Sequence, residues 1–399
     1  MDSSTELEYE EETESDVSSG AVNAVVQSTD WTTETIVSQM RRGNIALNPK
    51  FQRRDAWSRQ RKSALIESLI VGLPVPQIVL ADSHTSSGKF IVLDGKQRLL
   101  SILQFWGSEN EAVESEGNVV TSKYNGFALS KLDLRSDLQG KTFAEISENP
   151  VHEADHNSLC NHTIRTMVIK NWRSNELLHS IFLRLNTGSV SLSPQELRQA
   201  LHPGRFTDLV DDASADSEPL QTLLRIDGPD PRMRDAEILA RFIAFRLFGN
   251  EYPGRMKSFL DSAFEKINSD WTRYETQVIN AIDDFNRGTN RLLEIFEDKP
   301  ARKPNSRQFN RAIFDVLIYF QSDANIDNQL TTKFDEVRQA YESLFDRNSN
   351  FGSMIESDTA GAPNTYGRFN LWATALEQIV SFPVSPPSPP SPPSPTTLS

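Results

Sequence analysis

Cysteine is almost absent from this chain of 399 residues, where Cys160 stands alone. An intrachain disulfide is excluded, which agrees with a reducing compartment. Long apolar runs are missing too. The best candidate is broken by Arg241 and Arg246, so nothing reaches the roughly 18 residues of a membrane span. The start is acidic, unlike a signal peptide, and a cytoplasmic location with no membrane partner is expected. No Gly-x-x-x-x-Gly-Lys-Ser/Thr loop occurs, and Gly188-Ser189 lacks the context of a nucleophile elbow. Walker-type and Ser-His-Asp chemistry are therefore unsupported. Histidine is scarce as well: His84, His152, His156, His162, His179 and His202 all precede residue 203.

Basic residues are absent from the first 16 positions, which hold eight acidic side chains. Such a segment has no apolar anchor and is expected to stay disordered. The net charge of −14 owes much to it, because elsewhere 47 acidic face 41 basic side chains. Between residues 41 and 62 the balance reverses. Arg41, Arg42, Lys50, Arg53, Arg54, Arg59, Arg61 and Lys62 oppose only Asp55, a local charge suited to nucleic-acid phosphate. A merely solvated surface is the commoner explanation of such a cluster.

What is present reads as α/β followed by α. Thr33 to Arg42 has helical spacing, with Ile45-Ala46-Leu47 as a short strand after it. Residues 48–57 lack periodicity but carry aromatics and bases, as a binding loop does. Ser58 starts a helix with Leu65, Ile66, Leu69 and Ile70 on one face, and Gly72 and Pro74 stop it. Ile78-Val79-Leu80 and Phe90 to Leu93 predict a hairpin. Residues 107–162 read as loops with small strands at Phe127-Ala128-Leu129 and near Phe143. Thr163 to Ile169 alternates as a strand, and Asn175 to Leu185 has helical spacing. Ser193-Pro194-Gln195-Glu196 combines Ser at N-cap, Pro at N1 and Glu at N3, so a helix opens there. Beyond it, helical spacing recurs over Arg234 to Phe248, Met256 to Ile267, Tyr274 to Phe296, Phe309 to Phe320, Leu330 to Leu344 and Leu371 to Val380. A repeated Ser-Pro-Pro from Ser385 reads as a polyproline-type tail, a spacer or a ligand for an aromatic groove. The expected division is a disordered acidic tail 1–30, an α/β domain 31–203, a helical domain 204–382 and a disordered Pro/Ser-rich tail 383–399.

Polar chemistry concentrates where the strand ending at Leu93 gives way to a helix. Asp94-Gly95-Lys96-Gln97-Arg98 fills that junction. A helix start offers unpaired N–H groups and partial positive charge, Gly95 admits close approach, and Lys96 and Arg98 add charge for an anion. Asp94 and Gln97 also fit a capping box, which would satisfy the same N–H groups without any ligand. Both readings stand on this stretch alone.

Three segments taken in order, Gln52-Arg53 with Trp57, Asp94 to Arg98, and Arg184-Leu185-Asn186-Thr187-Gly188, resemble a known family. They are similar to the Q-R-x-x-x-W, D-G-Q-Q-R and R-L-N-T-G segments of the N-terminal domain family of the GmrSD type IV restriction endonucleases. Leu192 to Leu197 and Met233 to Phe242 extend the resemblance. It implies a ParB/sulfiredoxin-like domain with a small mixed sheet that binds a nucleoside triphosphate, hydrolysed in some members with Mg²⁺, in defence against foreign DNA. Carried over, Asp94, Gln97 and Arg98 take the catalytic positions. Gln52, Arg53, Gly95, Lys96, Arg184, Asn186 and Thr187 take the nucleotide-binding ones, with Lys96 in place of the family's usual Gln. Arg41, Arg42, Arg54, Arg59, Arg61 and Lys62 are the nucleic-acid candidates. Larger members carry an HNH nuclease, which needs histidine. The helical region has none beyond His202, so cutting is expected from a separate nuclease subunit, or not at all. The alternative to a nucleotide-dependent sensor is a non-enzymatic DNA-binding or adaptor module. His152, His156, Cys160 and His162 are of zinc-binding types, but their spacing lacks the usual pairs and they read as coincidental.

Overall fold

The computed structural model describes residues 24–45, 57–83, 88–107, 113–115, 118–120, 126–172, 178, 193–297, 300–304, 306–346 and 349–389. These fall into two compact units that meet in sequence between Leu201 and His202. No helix among the described residues is long and apolar enough to cross a membrane.

The first unit is built on a four-stranded mixed sheet. Its strands are β1 (Val25–Thr32), β2 (Ile78–Asp82), β3 (Phe90–Asp94) and β6 (Thr163–Lys170), in the order β1-β6-β2-β3. Strands β4 (Val113–Ser115) and β5 (Asn118–Val120) form a separate hairpin. The pair β2–β3 is antiparallel, as the hairpin reading requires, and β2 lies parallel to β6. Alternation along β2 loads both faces. Ile78 and Leu80 pack with helices α1 (Thr33–Arg41), α2 (Arg59–Val71) and α3 (Lys96–Trp106), while Val79 and Ala81 join Leu93, Ile169, Trp172 and Leu197 on the other side.

Sequence reading left residues 25–30 to an acidic tail, yet β1 forms there and pairs with β6 over eight residues. It also expected loops and strands over 107–162. Small strands do form there as β4 and β5, but two helices follow them, α4 (Phe143–Ser147) and α5 (Glu153–Asn161), and Phe143 opens a helix through a Thr142/Glu145 capping box rather than a strand edge. Phe127 to Leu129 is irregular. Of Ile45-Ala46-Leu47 the described part is Ile45, which bridges Phe90. The Asn175–Leu185 helix lies outside the described residues, apart from residue 178. At the next start, α6 (Pro194–Leu201) has the predicted cap: Glu196 N donates to Ser193 Oγ at 3.1 Å, and Ser193 N to Glu196 Oε2 at 2.6 Å.

The second unit is helical. It comprises α7 (Arg205–Ala215), α8 (Glu218–Leu224), α9 (Arg234–Phe248), α10 (Met256–Ser269), α11 (Trp271–Phe296), α12 (Arg311–Gln321), α13 (Ala324–Leu330), α14 (Phe334–Ser343), α15 (Phe351–Met354) and α16 (Ala362–Glu377). The stretch read as one helix from Leu330 to Leu344 is α13 and α14 with a break between them. Helices α7 and α8 fall within the expected helical region, although no periodic stretch marks them individually. One continuous core runs from Phe206 to Val384, centred on α9, whose residues 235–245 are all buried. Inside it Arg241 forks onto Asp315 of α12, with Nη2–Oδ2 at 2.5 Å.

Candidate functional site

Strand β3 ends at Asp94 because Gly95, at φ +96°, turns the chain into α3. An L side chain is strained at that φ. A Cβ would also lie 3.1 Å from Ile78 Cγ1 and 3.3 Å from Arg98 Nη2. Gly95 is therefore required both by backbone conformation and by the side chains packed against it.

The predicted Asp94/Gln97 capping box does not form. Gly95 is the N-cap of α3, and no side chain caps the helix. Asp94 instead accepts from Arg98, with Nη2–Oδ2 at 2.7 Å, and the same Nη2 donates to the Gln77 carbonyl at 2.8 Å. Arg98 is held over the turn this way although it is 7 % exposed, and its Nε is buried without a hydrogen-bond partner. Gln97 Oε1 is likewise buried and unpartnered. The turn thus presents an uncapped helix start, a donor and an acceptor that the fold leaves unused.

Lys96 has an ion-pair partner that the local sequence pattern does not announce. Its Nζ lies 2.9 Å from Glu196 Oε1, and both side chains are 5 % exposed or less. Glu196 uses its other oxygen for the α6 cap, so the starts of α3 and α6 are tied through one carboxylate. Sequence reading missed this partner. Its signal was available: an added charge at Lys96 needs a counter-charge wherever it is buried.

The basic candidates divide between two elements. Arg41 and Arg42 are exposed at the end of α1, and Arg41 Nη2 donates to the Trp106 carbonyl at 3.4 Å. Arg59, Arg61 and Lys62 occupy the first turn of α2, and Arg61 stacks over the Trp57 ring at 4.5 Å. Cations at a helix N-terminus oppose the helix dipole, and that turn has no acidic residue to offset them. Gln52, Arg53, Arg54, Arg184, Asn186 and Thr187 lie outside the described residues.

Residues 33–203 match the family model of the GmrSD restriction endonuclease, N-terminal domain. No curated protein matches the chain. Within the matched region the zinc-type residues are not gathered. His152 Nδ1 faces Asp155 at 3.2 Å, whereas Cys160 meets His156 at 3.4 Å. Burial, with Glu34 adding to it, pushes the Cys160 thiol up to about 11, away from the thiolate that a metal needs. Asp137, His152 and Asp155 do approach one another. Arg135 binds both carboxylates, at 2.7 Å to Asp137 and 2.5 Å to Asp155, and so offsets one of the two negative charges in that cluster.

Proposed function

We propose that the α/β unit binds a nucleoside triphosphate at the Gly95 turn and that this binding regulates a restriction-type response to nucleic acid. The buried, unpartnered Nε of Arg98 above an uncapped helix start carries the reading. Backbone N–H groups of α3 and the Arg98 guanidinium take phosphate oxygens. Asp94 holds Arg98 in place through Oδ2, which leaves Oδ1 for Mg²⁺ or a water. Gln97 contributes an acceptor for a ligand hydroxyl or amine. Lys96 is assigned to the fold, because Glu196 already neutralises it. Gln52, Arg53, Arg184, Asn186 and Thr187 are proposed as the remaining nucleotide contacts, and a ParB-like domain is the corresponding fold proposal. Any cleavage of DNA is assigned to a separate nuclease subunit.

Triphosphate with Mg²⁺ should raise the melting temperature by several degrees, since saturation at 100 Kd adds about 2.7 kcal/mol. Arg98→Ala should abolish the rise. Gln97→Ala removes an acceptor the fold does not use, so it should reduce the rise while leaving the unliganded melting temperature within about a degree. No shift with any of the four triphosphates would sink the proposal. Phosphate release by wild type and Asp94→Ala then separates binding from turnover.

A second reading is DNA binding without nucleotide, and the cation-rich start of α2 favours it. Phosphate there would offset three charges that the helix dipole opposes, and Trp57 with Arg61 offers a stacking face. Replacing Arg59 and Arg61 by Ala should weaken DNA binding and lower the salt slope by roughly one per lost phosphate contact. An unchanged slope would remove α2 from the interface.

A further inference from the structure

The Ser-Pro-Pro tail was read from sequence as lying outside the fold. Its first repeat is packed. Val384 and Pro387 are buried, whereas Ser385 and Ser388 between and beyond them are exposed. That spacing of three is the period of a polyproline II helix, in which every third residue returns to one face. The sequence repeat Ser-Pro-Pro has the same period of three.

Three contacts hold the described part. Val384 N donates to Glu377 Oε1 at 2.9 Å, and Ser388 N to Asn250 Oδ1 at 2.8 Å. Between them Pro387 rests directly on Gly249, where an added Cβ would lie 3.0 Å from Pro387 Cβ and 3.7 Å from its Cγ. Gly249 has φ −54°, a conformation open to any residue, so backbone strain does not call for glycine here. Close approach of the proline ring does. The flanking residues Phe248 and Glu251 line a cavity of about 250 Å³ that continues over Pro253, Phe259, Ala263 and Lys266. Its walls combine aromatic faces with polar rims, as grooves that receive polyproline II segments do.

We propose that the surface from Gly249 to Lys266 is a polyproline II seat, occupied in cis by this chain's own Ser-Pro-Pro tail. Pro387 fills the Gly249 notch, and Ser388 N anchors the chain just beyond it on Asn250. The seat recognises the second proline of a Ser-Pro-Pro repeat and the backbone N–H that follows it, through Asn250.

The test uses the full chain and a fluorescent peptide, Val-Ser-Pro-Pro-Ser-Pro-Pro-Ser. A variant carrying Pro387→Ala and Pro390→Ala vacates its own seat and should bind the peptide. Wild type should bind it at least about tenfold more weakly, because a tethered segment competes at high effective concentration. Adding Gly249→Ala to the vacated variant should abolish binding, since the methyl occupies the notch. Asn250→Ala should weaken binding several-fold and serves as the second variant if Gly249→Ala does not fold. No binding by the vacated variant, or equal binding with and without Gly249→Ala and Asn250→Ala, overturns the seat. A wild-type mass that doubles with concentration, while the vacated variant stays monomeric, assigns the seat to a second copy and overturns occupation in cis.

Discussion

At Lys96 a single side chain decides what the junction does. A lysine at a helix start would ordinarily add positive charge for a phosphate. Burial against Glu196 turns it into a strut instead. Removing one member of a buried pair leaves the other charge without compensation, at a cost of about 3–5 kcal/mol. Lys96→Gln should therefore destabilise the α/β unit by that amount in urea unfolding. The double variant Lys96→Gln/Glu196→Gln should recover most of it, because the second amide still accepts from Ser193 N. Gly95 behaves differently, since its need is conformational. Gly95→Ala should cost about 1–3 kcal/mol for the left-handed φ and also remove any triphosphate-dependent rise in melting temperature.

Elements with strong local signals form as the sequence predicts. Helix α3, the β2–β3 hairpin, β6 and the α6 cap each have periodicity or capping chemistry of their own. Strand β1 and helix α5 do not. Most of β1 is exposed, and α5 buries a single apolar side chain, Leu159, so both depend on partners distant in sequence. For β1 the partner is β6. For the segment before α5, Glu67 accepts three backbone N–H groups, from Asp133, Leu134 and Arg135, although it is 5 % exposed. Arg135 then binds Asp155 on α5. That guanidinium holds the Asp155 carboxyl below its ordinary range, with His152 adding a smaller effect and burial opposing both. A carboxylate with a depressed folded pKa contributes stability above its unfolded value near 3.8, and this is lost as pH falls through the folded value. Urea unfolding from pH 6 to pH 2 should therefore show falling stability below about pH 4, with a shallower fall in Asp155→Asn. Equal slopes would mean that the Arg135 contact does not persist in solution.

On the scale of the molecule, two units each bury their own core, and the helical one is the more continuous. Its core encloses paired charges, with Arg241 on Asp315 and Arg311 on Glu237 at 3.3 Å. A fragment of residues 202–389 should accordingly show helical circular dichroism and a single cooperative unfolding transition. A broad, uncooperative transition would show that this core needs the α/β unit.

The sequence by itself determined the α/β-then-helical order, the strand–turn–helix at Asp94–Gly95 and the cation-rich segment. Each rests on residues adjacent in the chain, where periodicity and turn chemistry act locally. Only the tertiary structure decided that Asp94 holds Arg98 rather than capping α3, that Lys96 is matched by Glu196, and that Pro387 sits on Gly249. In the last two pairs the members lie about 100 residues or more apart. The first turns on burial: a desolvated guanidinium needs a counter-charge more than a helix start needs a side-chain cap.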